Sequence, residues 1–352
     1  YLIHQKLTDP HLLTYHFNGD LWAASWSPDG TRVASVGWVD ASVKGTQPLN
    51  VFDPLTGETI VTGDTSHEVL SGLAPLDVVW STDGQQLVAF IGEAAPIENG
   101  SRVVEIVQVW DAKTGQRVRS FPVTQPEISR EYGSNLYTVT VRSRALCHRY
   151  LAAAKIKAVN LNGLQSLSPF LEVWDIGKGN IIFTQDIQTG NMQWAPDRRR
   201  LALLTADRYK NARWEIWDIP TGQRLRSFPL TVNPSLSTLV WSPDGQSIAF
   251  GPDIYSVETG RKVMTYHVAG EQLLEVMAWS PDEKRVAVRS ARYLGGGPFT
   301  RTSHPLFVLD ASSSRKLTQY DSTNGSFIWS PNGAYFLILE KSLETIEVWR
   351  MP

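Results

Sequence analysis

Cys147 and His148 stand side by side in "RALCHRY", a thiol next to a base, the pairing from which a cysteine nucleophile is built. The stretch reads as a strand, in which neighbouring side chains point to opposite faces. The imidazole then cannot serve the thiol, and Cys147 is expected to be structural. The seven histidines are scattered, without metal-ligand spacing. "GGG" at 295–297 has the glycines of a phosphate cradle but not the strand before it or the helix after it, and reads as a flexible loop. HExxH, a GK[ST] phosphate loop and GxSxG do not occur. "NGS" at 99–101 and 324–326 fits the glycosylation acceptor pattern, which is short enough to arise by chance. What remains is the chemistry of recognition. Arg130 lies near Tyr132; Arg208, Tyr209, Arg213 and Trp214 form a second group; Arg292, Tyr293, Phe299 and Arg301 form a third. Arg, Tyr and Trp are the types that dominate binding hot spots. With Trp38, these are the candidate partner-binding residues. No catalytic residue, metal ligand or cofactor is assigned.

The elements that must carry these residues are written in two recurring turns. "WSPDG" at 26–30 returns unchanged at 241–245, with variants "WSTDG" at 80–84, "WAPDR" at 194–198, "WSPDE" at 279–283 and "WSPNG" at 329–333. Pro at the second position of a type I turn, Asp at the third and Gly in the following left-handed position make a hairpin connection. The second turn is "VFDPLTGE" at 51–58, repeated as "VWDAKTGQ" at 109–116, "VWDIGKGN" at 173–180 and "IWDIPTGQ" at 216–223. Weaker copies are "IYSVETGR" at 254–261 and "VLDASSSR" at 308–315. Each unit therefore holds four short strands, a to d, as in "LVW", "SIAF", "IYS" and "RKVMTYH". The unit recurs about every fifty residues, near the period of propeller blades. Strands apolar on both faces suit sheets sandwiched between other sheets.

Six units are plain, and a third-position unit is degenerate: "VRSRALCHRYLAAA" replaces its first turn, yet "LEVWDIGKGN" closes it on schedule. The last unit stops after strand c, while "HLLTYHF" at 11–17 resembles the strand-d sequences "RKVMTYH" and "RKLTQYD". The fold class predicted is all-β: a seven-bladed β-propeller of four-stranded antiparallel blades, one domain over 1–352, its ring closed by residues 11–17 in the last blade. Most of the thirteen tryptophans occupy fixed blade positions and are expected in the core: Trp26, Trp80, Trp194, Trp241, Trp279 and Trp329 before the first turn, and Trp110, Trp174, Trp217 and Trp349 in strand c. Trp38 and Trp214 fall off that register.

Bulk composition narrows the function classes. Formal charge is −2 with pI ≈ 6.4, so no basic excess points to nucleic acid. One cysteine excludes an internal disulfide framework. No apolar run approaches the roughly twenty residues of a membrane-spanning helix. The opening "YLIHQKLTDPH" lacks the pattern of a signal peptide and begins without Met, as a piece of a longer protein would. Localisation is left open between the cytoplasm and an exported sensor domain.

With the Trp-Asp pairs 110–111, 174–175 and 217–218 and the SPDG turns in view, the chain resembles the WD-repeat β-propellers over nearly its whole length. "WSPDGQSIAF" is also similar to propellers of the bacterial Tol system and of prolyl peptidases. The resemblance implies a non-catalytic scaffold or sensory module that binds a protein or peptide on one face of the disc. It also implies a place in a larger, bacterial signalling protein. It departs from the family in three blades, with Tyr255-Ser256, Leu309-Asp310 and Trp349-Arg350 for Trp-Asp. The family's Gly-His pair occurs nowhere, which removes its histidine-centred network. The a–b and c–d turns share one face and are short. The b–c and d–a connections share the other and are long: 38–48, 93–101, 124–134, 157–169, 207–214 and 292–305. Variable loops on a rigid scaffold are where binding resides. The alternative is a propeller enzyme, or a metal- or small-ligand-binding protein, that uses inward carboxylates in the central channel.

Overall fold

The repeated turns adopt the backbone their residues specify in a computed structural model of the chain. After Trp26, the Gly30 amide donates to the Ser27 carbonyl at 2.8 Å, with Gly30 at φ 71°. Asp29 accepts from the Ser27 hydroxyl at 2.6 Å and the Thr31 amide at 3.0 Å, while Ser27 Oγ accepts from the Arg32 amide at 2.9 Å. The same lattice recurs around Ser81, Ser242, Ser280 and Ser330. In the second turn the Asp of the Trp-Asp pair caps the loop: Asp111 accepts from the amides of Lys113 and Thr114 at 2.9 and 2.8 Å. Asp310 does so with Ser312 and Ser313, whose hydroxyls and amides hold its carboxyl down to about 2. Ser256 substitutes in the fifth blade by accepting from the Thr259 amide.

The structure describes residues 10–17, 20–38, 49–63, 77–97, 100–123, 137–161, 164–206, 212–229, 239–271, 274–290, 305–320, 325–340 and 344–351. The chain begins with β1 (His11–His16). Blade one follows as β2 (Asp20–Trp26), β3 (Val33–Trp38), β4 (Leu49–Phe52) and β5 (Thr59–Gly63). Blade two is β6 (Asp77–Trp80), β7 (Gln86–Ile97), β8 (Gly100–Asp111) and β9 (Arg117–Pro122). Blade three is β10 (Tyr137–Leu146), β11 (Tyr150–Leu161), β12 (Leu164–Asp175) and β13 (Asn180–Gln185). Blade four is β14 (Thr189–Trp194), β15 (Arg200–Ala206), β16 (Ala212–Asp218) and β17 (Gln223–Pro229). Blade five is β18 (Leu239–Trp241), β19 (Ser247–Phe250), β20 (Asp253–Ser256) and β21 (Lys262–Thr265). Blade six is β22 (Leu274–Trp279), β23 (Arg285–Ser290), β24 (Leu306–Asp310) and β25 (Lys316–Tyr320). Blade seven has β26 (Ser326–Trp329), β27 (Tyr335–Glu340) and β28 (Thr345–Arg350). Its fourth strand is β1, antiparallel to β28 with Tyr15 opposite Ile346 and His16 opposite Thr345. All seven sheets are four-stranded and antiparallel, and the ring is closed as the sequence predicts. Trp349-Arg350 departs from Trp-Asp for a physical reason. The strand d beside it is β1, from the other end of the chain, so this pair caps no c–d hairpin; the Arg350 amide instead donates to the Pro10 carbonyl.

Both faces of the inner strands are dry. In β23, Val286, Ala287 and Val288 are consecutive and each is 0% exposed. The buried apolar residues fall into seven clusters, one at each interface between neighbouring blades. The closing interface packs Leu21, Trp26 and Phe52 of blade one on Leu337, Ile346 and Val348 of blade seven, with Tyr15 stacked on Phe52 at 4.0 Å. In place of a histidine network, three of the four strand-c indoles donate to a glutamate two residues earlier on the same strand face, while Trp110 has Gln108 there and its N–H meets no acceptor of the protein. The pairs are Trp174–Glu172, Trp217–Glu215 and Trp349–Glu347. Lys155, itself buried, joins Glu172 and also donates to the Val123 carbonyl of blade two.

Two sequence readings are corrected. Residues 93–101 and 157–169 were expected as loops. They are largely strand: β7, β8, β11 and β12 are each 12 residues long, against 4 in β19 and β20. The difference adds roughly 25 Å of paired ribbon to blades two and three. Cys147 and His148 do not lie in a strand. They form the a–b turn of blade three, between β10 and β11.

Candidate functional site

Antiparallel order places the a–b and c–d turns on one face of the disc and the b–c and d–a connections on the other. The second face carries the two extended hairpins. They pair from Gln86 opposite Asp111 out to Ile97 opposite Gly100, and from Tyr150 opposite Asp175 out to Leu161 opposite Leu164. β10 runs alongside β11 as far as Tyr137 opposite Val159. Among the residues expected to bind a partner, Arg213 is exposed on β16, its Nε donating to Ser227 Oγ at 2.9 Å. Trp214 is a correction. It is 1% exposed, with ring centroids 4.6 Å from Phe228 and 6.3 Å from Tyr255, and it packs in the cluster between blades four and five. A side chain so buried offers no surface to a partner. Trp38 ends β3, but its side chain lies outside the described residues, as do Arg130, Tyr132, Arg208, Tyr209, Arg292, Tyr293, Phe299 and Arg301.

The short-turn face is organised by the tryptophans that end the strands a, the innermost strands of the blades. Four of these indoles reach back to the previous blade and donate to the carbonyl just before that blade's equivalent position, whereas the Trp329 N–H is buried and meets no acceptor of the protein. Trp26 donates to Ile328 at 3.3 Å, Trp80 to Ser25 at 3.0 Å, Trp194 to Ala145 at 3.0 Å and Trp241 to Gln193 at 3.1 Å. The rings are also covered from the previous blade, by the residue six positions after that blade's own strand-a end, or four in the shortened turn of blade three. Arg32 lies over Trp80, Arg200 over Trp241 and Arg285 over Trp329; Tyr150 stacks on Trp194 and Tyr335 on Trp26. Trp279 departs from this, packing against the cluster between blades five and six that holds Tyr266, whose hydroxyl donates to the Ala311 carbonyl. Neither the indole handshake nor the Arg or Tyr cover was visible as a function of the repeated Trp in the sequence.

Blade three breaks the ring. Leu146 stands where the indole should be, and blade two offers Gln86 where Arg or Tyr would cover it. The turn that follows is shorter by two residues. Cys147 takes the serine's role, with Sγ accepting from the Tyr150 amide at 3.3 Å, where Ser27 accepts from Arg32. Cys147 is buried, and burial pushes its thiol up. That is the opposite of what a nucleophile requires. Beside this break the central channel widens into a cavity of about 840 Å³. Trp26, Trp80, Trp194 and Leu146 form apolar walls; Asp77, Arg144, His148, Gln193 and Arg198 supply polar ones. Burial pushes Arg144 down and Glu105 up; Asp77 and Glu105 act on Arg144 in the opposite sense, and its guanidinium lies 4.6 Å from the Phe90 ring. Among the described residues no group of three His, Cys, Asp or Glu side chains is placed to hold a metal ion.

No helix of the described residues is long and apolar enough to cross a membrane. No protein-family model and no curated protein sequence matches the chain. Its architecture is nevertheless similar to that of a chain in the crystal structure of a mitotic checkpoint complex, with 18% sequence identity, a TM-score of 0.60, and coverage of 98% of this chain and 92% of that one. At that identity the likeness concerns the fold. The likeness and the seven closed four-stranded blades agree on the fold, a seven-bladed β-propeller whose Trp-Asp and SPDG turns resemble those of WD-repeat propellers.

Proposed function

We propose that this chain is a non-catalytic interaction module whose b–c and d–a face binds a protein or peptide. The observation that supports the reading is the pair of 12-residue hairpins in neighbouring blades two and three. A blade closes with strands of 4 residues, as blade five does, so the additional ribbon serves no need of the ring. A rigid β-platform standing beside variable connections is a surface on which recognition is built. Arg213, and the set Trp38, Arg130, Tyr132, Arg208, Tyr209, Arg292, Tyr293, Phe299 and Arg301 that the sequence assigns to the connections of that face, are proposed to contribute its contacts. The module would serve within a longer signalling protein, and the full reading frame tests that part directly.

The test removes the platform without touching the ring. Residues 94–103 and 158–167 are excised and each hairpin is closed by Asn-Gly, which suits a two-residue turn. A partner identified by in-cell cross-linking is then titrated as a purified protein. The truncated chain should melt within a few degrees of the parent and bind at least tenfold more weakly. Substitutions at Lys113 and Gln223, on the opposite face, should leave the affinity unchanged. Full affinity after truncation, with loss on changing the short-turn face, would assign the wrong side of the disc.

A further inference from the structure

The cavity on the short-turn side has features that neither the ring nor the long-loop reading uses. Two of its wall residues, His148 and Gln193, each hold a polar atom, Nδ1 and Oε1, that is buried behind the wall and meets no hydrogen-bonding group of the protein. Buried polar atoms are satisfied almost everywhere in native folds, so two unmatched ones on residues of one cavity wall mark side chains that a ligand could satisfy once they turn toward it. The third feature is Arg198. The same position is Gly30, Gly84, Gly245 and Gly333 in four other turns, all with φ between 68° and 71°, and Glu283 at φ 61° in the turn of blade six. Arg198 adopts φ 56° there, a conformation that L side chains resist. Its side chain lines the cavity, and it forms no ion pair with any described carboxylate. Strained residues of this kind gather where a side chain has a task.

We infer that this cavity binds the carboxylate of a ligand with an apolar body, held by Arg198 and completed by His148 and Gln193. The charge balance selects a monoanion. Arg144 is answered by Asp77 and Glu105, which leaves Arg198 as the unbalanced charge, and Asp77 on the wall opposes a second negative charge. His148 is neutral near pH 7, because burial and the nearby Arg198 and Arg149 lower its pKa, so it offers an N–H or a lone pair according to tautomer. The Gln193 amide turns either its oxygen or its nitrogen inward with equal ease. The indoles of Trp26, Trp80 and Trp194 and the side chain of Leu146 suit an aromatic or branched aliphatic body. The volume lies within the range of small-ligand pockets. The shared chemistry is a carboxylate on an apolar group, and it has two sources: a small free acid, or the C terminus of a peptide entering the channel. This site is independent of the long-loop face.

The experiment titrates the intact chain with phenylacetate and with phenylacetamide, read by calorimetry and by tryptophan fluorescence. A second arm compares short peptides ending in Phe or Leu as free acids and as C-terminal amides. The acid should bind at least tenfold more tightly than its amide in one arm or both. The stronger arm identifies the source. Arg198→Gly restores the residue of four of the other turns, so it should melt no lower than the parent while binding the acid at least tenfold more weakly. Arg198→Gln keeps the strained backbone and removes only the charge, and should lose binding equally. Equal affinity for acid and amide, undiminished binding by Arg198→Gly, or no response to millimolar phenylacetate and peptide acids would each overturn the site.

Discussion

Arg213 and Trp214 are neighbours in sequence with opposite fates, and the strand period explains why. β16 buries Trp214 and Ile216 on one face against blade five, while Arg213 turns to solvent. Trp214→Ala should therefore cost about 3–5 kcal/mol, the range for emptying an aromatic core site, and Trp217→Ala a similar amount. Arg213→Ala, at an exposed position, should shift stability by no more than about 0.5 kcal/mol. Urea unfolding of the three variants checks this, and a Trp214→Ala protein as stable as the parent would return that residue to the surface. Reading Trp214 as a loop residue began β16 too late. The alternation Trp214, Ile216, Asp218 was available in the sequence and would have placed it inside. The turn residues were legible throughout, because left-handed glycine and side-chain capping by Asp are local properties that need no partner strand. The Arg198, His148 and Gln193 constellation was not legible, since those residues come from two blades and meet only through the closed ring.

The strand that closes the ring is the element on which cooperativity rests. β1 covers the outer edge of β28, stacks Tyr15 on Phe52 of blade one and brings His11 to within 4.8 Å of the Trp349 ring. Deleting residues 11–16 leaves β28 with unpaired amides and carbonyls and uncovers the cluster that joins blades seven and one. The variant should lose its single sharp melting transition and aggregate at concentrations where the parent is monodisperse, as scattering and calorimetry would reveal. A deletion that melts like the parent would show that the other three strands suffice. The sequence disclosed this join because β1 repeats the spelling of the other fourth strands. It disclosed the long hairpins less well. Asn162-Gly163 stands between the paired Leu161 and Leu164, and Asn-Gly between apolar runs is a strong hairpin signal. Its length, rather than its chemistry, led to a loop assignment.

Across the whole molecule, seven similar interfaces must meet at one axis, and the one between blades two and three is built differently. It lacks the indole that bridges backbone to backbone and the cation that covers it, because Leu146 and Gln86 occupy those positions. Other groups hold these blades together: Arg144 over Phe90, and Lys155 donating to the Val123 carbonyl. A cavity of about 150 Å³ remains at this interface, lined by Gln86, Val88, Arg119 and His148 among others. Restoring the pattern tests whether the ring code is understood. In Leu146→Trp, the new indole would aim at the Val79 carbonyl, the equivalent of Ser25 and Gln193. In Gln86→Arg, the guanidinium would lie over that indole, as Arg32 lies over Trp80. Each change alone introduces a large side chain without its partner, so each should be neutral or destabilising. The double variant should be more stable than the sum of the two, with a coupling of about 1 kcal/mol in a double-mutant cycle, the scale of a solvent-exposed cation–aromatic pair. Strict additivity would mean that the shortened turn of blade three, not the two missing side chains, sets the geometry of the gap.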